Sequence, residues 1–418
     1  MEAIEKAAAW LASGESEKGL AILQRLIDDT DDSVVFAAAS VYQDYGFIEQ
    51  AEQAYRRLLA DYPQDSTILL QLADLLIDKN EEDQAIEFVQ RIAADDDNYL
   101  SAQVLLAELY QMDGLTEVAE QKLTHALSLS PDNPILQAAL GEFYLSVGQP
   151  LHAIDYLQSV YKNKMLTDQN IALQLAEAYS LSGQFEKSLP MYREGLNNGK
   201  TLDGLFGYAV VAARLDKQSI VIRTLEELRA LDPSYTTLYS PLAEAYKHEG
   251  QLEKALETIE AGLEQDVYNE RLYQEAAQLS IASHQNEKAA YYFQKCLTLD
   301  PDNTNALIKL IELYAQGGDD EAIISQLADK KIDEPMLQWF LASAYNNQDQ
   351  LKEAGHYYQL CAAAFAANAE FLREYGDFER SLGHTADALK LYQQALRQNP
   401  ENDELAEFIE RLKQDDFS

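Results

Sequence analysis

The sequence predicts an all-α chain, a solenoid of about twelve helix hairpins closed by one further helix. Three observations predict it. In residues 100–133, Leu106, Ala107 and Tyr110 lie on one side of a first helical pattern, and Ala119, Leu123, Ala126 and Leu127 lie on one side of a second. Spacings of three and four belong to an amphipathic helix. Gly114 between the two patterns and Pro131 after the second are helix stops. The same hairpin then recurs on a register of about 34 residues, and no stretch carries a strand signal.

The first repeat occupies residues 1–31, and later repeats start at 32, 66, 100, 134, 169, 202, 236, 270, 304, 335 and 369. Eight places into each stands Ala7, Ala39, Ala73, Ala107, Gly141, Ala176, Ala209, Ala243, Ala277, Ile311, Ala342 or Gly376, so Ile311 alone breaks a rule of small residues. Antiparallel helices approach closely only where one presents a small side chain. A second small position gives Gly19, Ala51, Ala85, Ala119, Ala153, Ser188, Val221, Ala255, Ala289, Ala354 and Ala388, with Ala322 fitting after a one-residue deletion.

Repeat 1 is already in phase with Ala7, Gly14 and Gly19, leaving no room for a separate N-terminal domain. Repeats 2 to 5 (32–168) are the most regular. Repeat 6 carries Leu175, Ala176, Tyr179 and Gly183, then drifts: Gly195 replaces an Ala and a polar run, Asn197 to Lys200, follows. Repeat 7 has Asp216 where Gly often stands, so 195–220 is expected to be a bend or joint between an N-terminal array (1–200) and a continuous C-terminal one (201–401). Repeat 8 returns to pattern with Leu242, Ala243, Tyr246, Gly250 and Ala255. Repeat 10 is three residues short (304 to 335), which predicts a shortened second helix. Residues 403–413 present Leu405, Phe408, Ile409 and Leu412 on one side, as a capping helix would, and the tail from Asp415 to Ser418 should fray.

With Tyr42, Tyr110, Tyr144, Tyr179, Tyr246, Tyr314 and Tyr345 at the eleventh place and Pro63, Pro131, Pro233, Pro301 and Pro400 closing repeats, the chain resembles the tetratricopeptide repeat (TPR) family over nearly its whole length. The resemblance implies a right-handed superhelix. Tyr45-Gly46-Phe47, Leu205-Phe206-Gly207-Tyr208 and Tyr239-Ser240-Pro241-Leu242 resemble the long cytosolic YpiA-like TPR proteins of low-GC Gram-positive bacteria. That narrower resemblance implies a cytoplasmic scaffold or adaptor without a catalytic assignment. Peptide-pheromone regulators append another module to their TPR units, and none fits here.

Composition excludes several functions. The chain of 418 residues has 71 acidic and 32 basic residues, a net charge of −39. Such a surface repels phosphate backbones and anionic membranes, so no nucleic-acid or membrane partner is expected. The start MEAIEKAAAWLASG lacks the basic and apolar regions of a secretory signal, and no apolar run reaches the length of a membrane span. Cys296 and Cys361 share the twenty-seventh place of their repeats and read as two reduced core thiols or, alternatively, as a disulfide or redox pair.

Chemistry is scarce. The segment from Gly195 to Thr201 has three residues between its glycines where a phosphate loop needs four, and it follows a helix rather than a strand. The six histidines show no metal-ligand spacing, and no GxSxG nucleophile motif occurs. Paired acids such as Glu81-Glu82 and Asp95-Asp96-Asp97 fall at turns. The expectation is therefore no enzyme, no cofactor and no metal.

The TPR resemblance implies that the first helix of each hairpin lines a concave groove, with its second, fifth, ninth and twelfth places toward a ligand. The ninth place holds Asp74, Glu108, Glu142, Glu177, Glu244, Glu312 and Asp377, seven carboxylates, of which the first four are consecutive. The fifth place holds Phe36, Leu70, Val104, Ala138, Leu173 and Phe206, then Trp339 in repeat 11. Two readings stand. Glu is a good helix former at an exposed place; or an acidic ladder beside an apolar stripe binds a partner segment with basic and apolar residues. Family grooves that clamp C-terminal carboxylates use Lys, Arg and Asn, where this chain has Asp74, Glu108 and Glu142, so such ligands should be rejected. The expected role is a protein-interaction scaffold or adaptor; a regulatory subunit of a partner enzyme or protease is the alternative, and an enzyme with a diffuse acidic site is a third.

Overall fold

The computed structural model describes residues 2–164, 166, 170–328 and 330–415. Among the described residues there are 25 α-helices and no strand. The chain divides into two compact bodies, 1–217 and 218–418.

In the N-terminal body, repeat 1 pairs α1 (Glu2–Ala12) with α2 (Ser16–Leu26), repeat 2 pairs α3 (Asp32–Asp44) with α4 (Ile48–Asp61), and repeat 3 pairs α5 (Ser66–Asp78) with α6 (Glu82–Val89). Repeats 4 to 6 are α7 (Tyr99–Met112) with α8 (Thr116–Leu129), α9 (Pro134–Ser146) with α10 (Pro150–Asn163), and α11 (Ile171–Leu181) with α12 (Phe185–Asn198). The body ends with α13 (Leu202–Arg214). The C-terminal body opens with α14 (Gln218–Leu231), then a 3-10 turn (Thr236–Leu238) leading into α15 (Tyr239–His248) and α16 (Leu252–Gln265). The hairpins α17 (Glu270–Ala282) with α18 (Asn286–Leu299), α19 (Thr304–Gly317) with α20 (Asp320–Leu327), α21 (Pro335–Asn347) with α22 (Leu351–Cys361), and α23 (Ala369–Ser381) with α24 (Thr385–Gln398) follow, closed by α25 (Asp403–Asp415). The first helix of each repeat is its A helix and the second its B helix.

The small residues mark where the two helices of a hairpin cross. All twelve eighth-place residues are buried, Ile311 included. A methyl group added to Gly19 would stand 2.7 Å from Leu11 Cγ and 3.0 Å from the Ala7 carbonyl oxygen. In repeat 6 the Ser188 hydroxyl occupies that crossing and donates to the Ala176 carbonyl at 2.7 Å. The two small positions of a hairpin therefore face each other, backbone against backbone. Ala322, in the eight-residue α20, is the second-position residue that stays only half-buried.

Each A helix ends in the same turn. One residue sits at positive φ: Gly14, Gly46, Asn80, Gly114, Gly148, Gly183, Asp216, Gly250, His284, Gly318, Asp349 or Gly383. The next N–H reaches back to the carbonyl five residues earlier, as in Leu115 to Tyr110 at 2.8 Å and Gln285 to Ser280 at 2.8 Å. This is the Schellman stop, which satisfies the last carbonyls of the helix. Most A helices begin with an Asx cap: Asp65 accepts from Thr67 N–H, Asn133 from Ile135 N–H, and Asn303 from Ala306 N–H.

Repeat 10 has the shortened second helix its length predicts. Repeat 3, expected to be regular, does not keep a full B helix: α6 also spans 8 residues. The reason is local. Asp95, Asp96 and Asp97 would carry negative charge into the C-terminal end of a longer helix, where the peptide dipoles already present negative partial charge.

Apolar burial runs from hairpin to hairpin. One cluster joins Ile4 through Leu109, a second joins Ala107 through Tyr179, and a third in the C-terminal body joins Leu307 through Ile409. Such nearest-neighbour packing is how a repeat array grows without a single core. Helix α25 buries Leu405 and Ile409 and packs Phe408 and Leu412 onto the last cluster, as a capping helix does. The tail beyond 415 lies outside the described residues. Cys296 and Cys361 are free and buried, and burial pushes their thiols up to about 11 and about 12. No described helix is long and apolar enough to cross a membrane.

The turn geometry gives a direct prediction. His284 holds a left-handed backbone that costs a branched L-residue free energy. His284→Gly should raise stability by about 0.5–1 kcal/mol, net of the extra freedom glycine gives the unfolded chain. The measurement is the urea midpoint at constant slope, and an unchanged or lower midpoint would contradict this account of the turn.

Candidate partner-binding face

The ninth place follows the small crossing residue by one position, about 100° around the helix. The crossing residue faces the B helix, and its neighbour lies at the edge of the crossing, within reach of a long B-helix side chain: Asp377 accepts from Tyr392 of α24 at 2.8 Å. In the N-terminal body this sets Asp74 on α5, Glu108 on α7, Glu142 on α9 and Glu177 on α11 along the faces of successive A helices. Asp74 is half-buried, and the other three are exposed.

The charges of Asp74 and Glu142 reach Glu108. Burial holds the Glu108 carboxyl above the ordinary range, and the charges of Glu142 and Asp74 push it further. Asp74 is raised by burial and by Asp78 one turn on. Glu177 is raised by burial and then by Asp203. Glu108 nevertheless remains exposed to water. None of the four acids has a Lys or Arg partner among the described residues: the ion pairs described in this body involve Glu15, Glu52 and Glu81.

A cavity of about 390 Å³ opens between α7 and α9, with Glu108 and Glu142 on its walls and Val104, Ala139 and Phe143 among its apolar lining. Met112 and Ile135 also line it and are 62% and 54% exposed. Gln111 donates across it to Ser146 at 2.9 Å. Gln174 of α11 reaches Glu142 at 3.4 Å, while its own carbonyl oxygen is shut from solvent with no partner among the described residues.

The C-terminal body presents the same backbone with different chemistry. Glu244 pairs with Lys247 at 3.0 Å and Glu312 with Lys309 at 2.8 Å. Arg271 pairs with Glu275 at 2.9 Å. These pairs line two depressions between successive A helices, about 440 and 470 Å³ in volume. Glu244 and Glu312 thus have lysines on their own helices, whereas Asp74, Glu108, Glu142 and Glu177 have no Lys or Arg partner among the described residues.

The fifth-place residues divide. Val104 lines the cavity described above. Phe36 and Leu70 are half-buried against the N-terminal core, and Phe36 meets the Tyr55 ring edge-on at 5.4 Å. Leu173 lies over Gly195, where an added methyl group would stand 2.6 Å from its Cγ, so Leu173 is held within its own hairpin. Phe206 is half-buried on α13. Trp339 belongs to the C-terminal body, donates to Glu374 at 3.0 Å and packs on Phe365 and Phe371. Phe36, Leu70, Val104, Leu173, Phe206 and Trp339 all remain partly exposed. Met112, Ile135 and Gln174 were missing from the expected set. Ile135 stands at the second place of its repeat, a position the register marked as lining; Met112 lies just past the last marked place. Among the described residues no cluster of His, Cys, Asp or Glu could hold a metal.

Known proteins place this architecture. Family models match residues 335–402 as YpiA-like C-terminal tetratricopeptide repeats and residues 111–165 as YpiA-like tetratricopeptide repeats. General tetratricopeptide repeat models match 45–109 and 270–303. The TPR repeat-containing protein YpiA of Bacillus subtilis (strain 168) is 33% identical over 99% of both chains. A TPR repeat-containing protein of Dictyostelium discoideum is 26% identical over 45% of this chain and 73% of its own length. Among solved structures, YrrB, a TPR protein with an unusual peptide-binding site, superposes with a TM-score of 0.40 at 18% identity, covering 44% of this chain and 95% of its own. The MamA fragment from Desulfovibrio magneticus RS-1 gives 0.38 at 19% identity, covering 41% of this chain and 96% of its own. The repeat register, the recurring backbone turn and the full-length match together show that the chain belongs to the YpiA-like family of tetratricopeptide repeat proteins.

Proposed function

We propose that the chain is an interaction scaffold whose N-terminal body binds a basic, partly apolar segment of a partner protein across α5, α7, α9 and α11. TPR repeats serve protein interaction in general. The observation that carries the specific reading is the run of four carboxylates without cationic partners among the described residues, three of them at sites where burial raises their pKa. A solvated helix face would gain from i, i+3 lysines such as those beside Glu244 and Glu312. The N-terminal face forgoes that gain. A partner's lysines and arginines would supply the missing charge, and Met112, Val104 and Ile135 would take its apolar side chains.

Exposed ion pairs contribute about 0–1 kcal/mol each, so affinity would come from several acting together. In a pull-down from cell extract, wild-type protein should retain a partner that the Glu108→Lys, Glu142→Lys form loses. Direct titration of that partner should show a loss of roughly 10- to 100-fold, with wild-type affinity also falling as salt screens the charges. Unchanged affinity in the folded double variant would contradict the reading.

The bare acids should also cost stability in the free protein. A carboxyl whose folded pKa lies above its unfolded value binds more protons when folded, so stability falls as pH rises from the unfolded pKa through the folded one. Glu108→Gln and Asp74→Asn should therefore each raise the melting temperature at pH 7. The gain should vanish below the ordinary carboxylate range, where the wild-type groups are protonated in both states. A variant less stable than wild type at pH 7 would show that these acids make favourable contacts.

A further inference from the structure

The start of α7 and the last turns of α8 flank an open cavity of about 640 Å³. It lies on another side of α7 from the acidic face: Gln103, which lines it, precedes Glu108 by five residues, about 140° round the helix. The cavity of α7 and α9 shares no lining residue with it. No Asp or Glu lines it, whereas each of the three cavities described above has at least one. In a chain with 71 acidic residues that is a local exception.

Gln103 sets this cavity apart from a dip in the surface. It is 5% exposed, and its amide has no hydrogen-bond partner among the described residues. Other polar side chains at the fourth place of a repeat close on the carbonyl six residues earlier: Gln137 donates to Pro131 at 2.9 Å, Tyr239 to Pro233 at 2.7 Å and Gln338 to Ile332 at 2.8 Å. Gln103 makes no such bond to Asp97, which stands in the turn that follows the shortened α6. A buried amide without a partner is costly, and the cavity is where a partner can reach it.

The other lining groups donate as well. Tyr99 brings a hydroxyl, Gln121 an amide, Lys122 an ammonium and His125 a ring nitrogen, and none of these side chains has a hydrogen-bond or acidic partner among the described residues. Thr124 and Ser128 already give their protons to the carbonyls of Glu120 at 2.7 Å and His125 at 2.6 Å. Glu120, beside Gln121 in the chain, accepts from Tyr144 at 2.7 Å and does not line the cavity.

We infer that this cavity binds a small phosphate monoester, held by Gln103 and Lys122 with Tyr99, Gln121 and His125 around them. A phosphoryl group offers three strong acceptor oxygens and carries roughly two negative charges at neutral pH. It suits donors that arrive from two helices around one cation. A carboxylate offers two oxygens in one plane. Every lining residue has a hydrogen-bonding side chain, so the flanks of a phosphorylated protein segment would find no apolar contact, while a small polar ester needs none. The charge of the rest of the chain opposes any anion at long range, but it is screened beyond about 8 Å at physiological ionic strength, so the contacting donors decide.

Side-chain amide NMR of the full-length protein tests this, in titrations with glycerol 3-phosphate, a phosphoserine peptide and acetate at physiological salt. The Gln103 and Gln121 signals should shift with glycerol 3-phosphate and stay in place with acetate. Lys122→Met should weaken that binding roughly tenfold or more, while Lys187→Met, which removes a positive charge elsewhere in the same body, should leave it as it is. Gln103→Leu should weaken it too, with a urea midpoint unchanged or higher, because the substitution breaks no bond. A lower midpoint with binding intact would make Gln103 a structural residue and overturn the site. Tighter binding by the phosphoserine peptide would overturn the small-molecule occupant. Signals indifferent to both esters up to millimolar concentration, or moving equally with acetate, would overturn phosphate recognition.

Discussion

The constraint on which the rest depends is the close crossing of two helices inside each hairpin. At Gly19 a single methyl group would strike Leu11 and the Ala7 carbonyl, and at Ser188 the hydroxyl is already bonded to the opposing backbone. Contact this tight fixes which face of the A helix meets the B helix. The hairpin is then left with apolar area that only another hairpin can cover, and repetition follows. The Schellman turn with its left-handed residue sets the chain reversal, and the crossing sets the register.

The residue after the small one lies about 100° round the helix, at the edge of the crossing. In repeats 2 and 12 it still meets the B helix, through Ser40 with Tyr55 at 3.3 Å and Asp377 with Tyr392 at 2.8 Å. Its acids otherwise fall into two groups. In the C-terminal body Glu244 and Glu312 are matched by lysines on their own helices. In the N-terminal body the charges of Asp74 and Glu142 bear on Glu108, and none of the three has a Lys or Arg partner among the described residues. The two faces share a backbone and differ in what they would hold.

Much of the fold was legible because its determinants are local and recur. Small residues at two places, Gly or a substitute at the turn, and an Asx cap before the A helix are each visible in the chain, and the register survived even at Ile311 and Asp216. The short α6 was harder to read, since it depends on how three aspartates weigh against an apolar pattern that continues to Ile92. The partner face was only half legible. Register alone placed the carboxylates, and the Glu244-to-Lys247 and Lys309-to-Glu312 spacings could have told the paired acids from the bare ones. What sequence could not supply was depth. Leu173 and Trp339 occupy marked positions, yet one is held over Gly195 and the other is packed into an aromatic cluster beside Glu374, because burial at the fifth place depends on neighbours in other helices.

The central claim is that Glu108 sits in the field of Asp74 and Glu142 with no Lys or Arg partner among the described residues. Carboxyl carbon NMR of selectively labelled protein would titrate Asp74 and Glu108 directly in the free chain. Both should protonate above the ordinary range for their type, and replacing Glu142 with Gln should bring Glu108 part of the way back down. Ordinary values for both, with no response of Glu108 to the loss of Glu142, would contradict it.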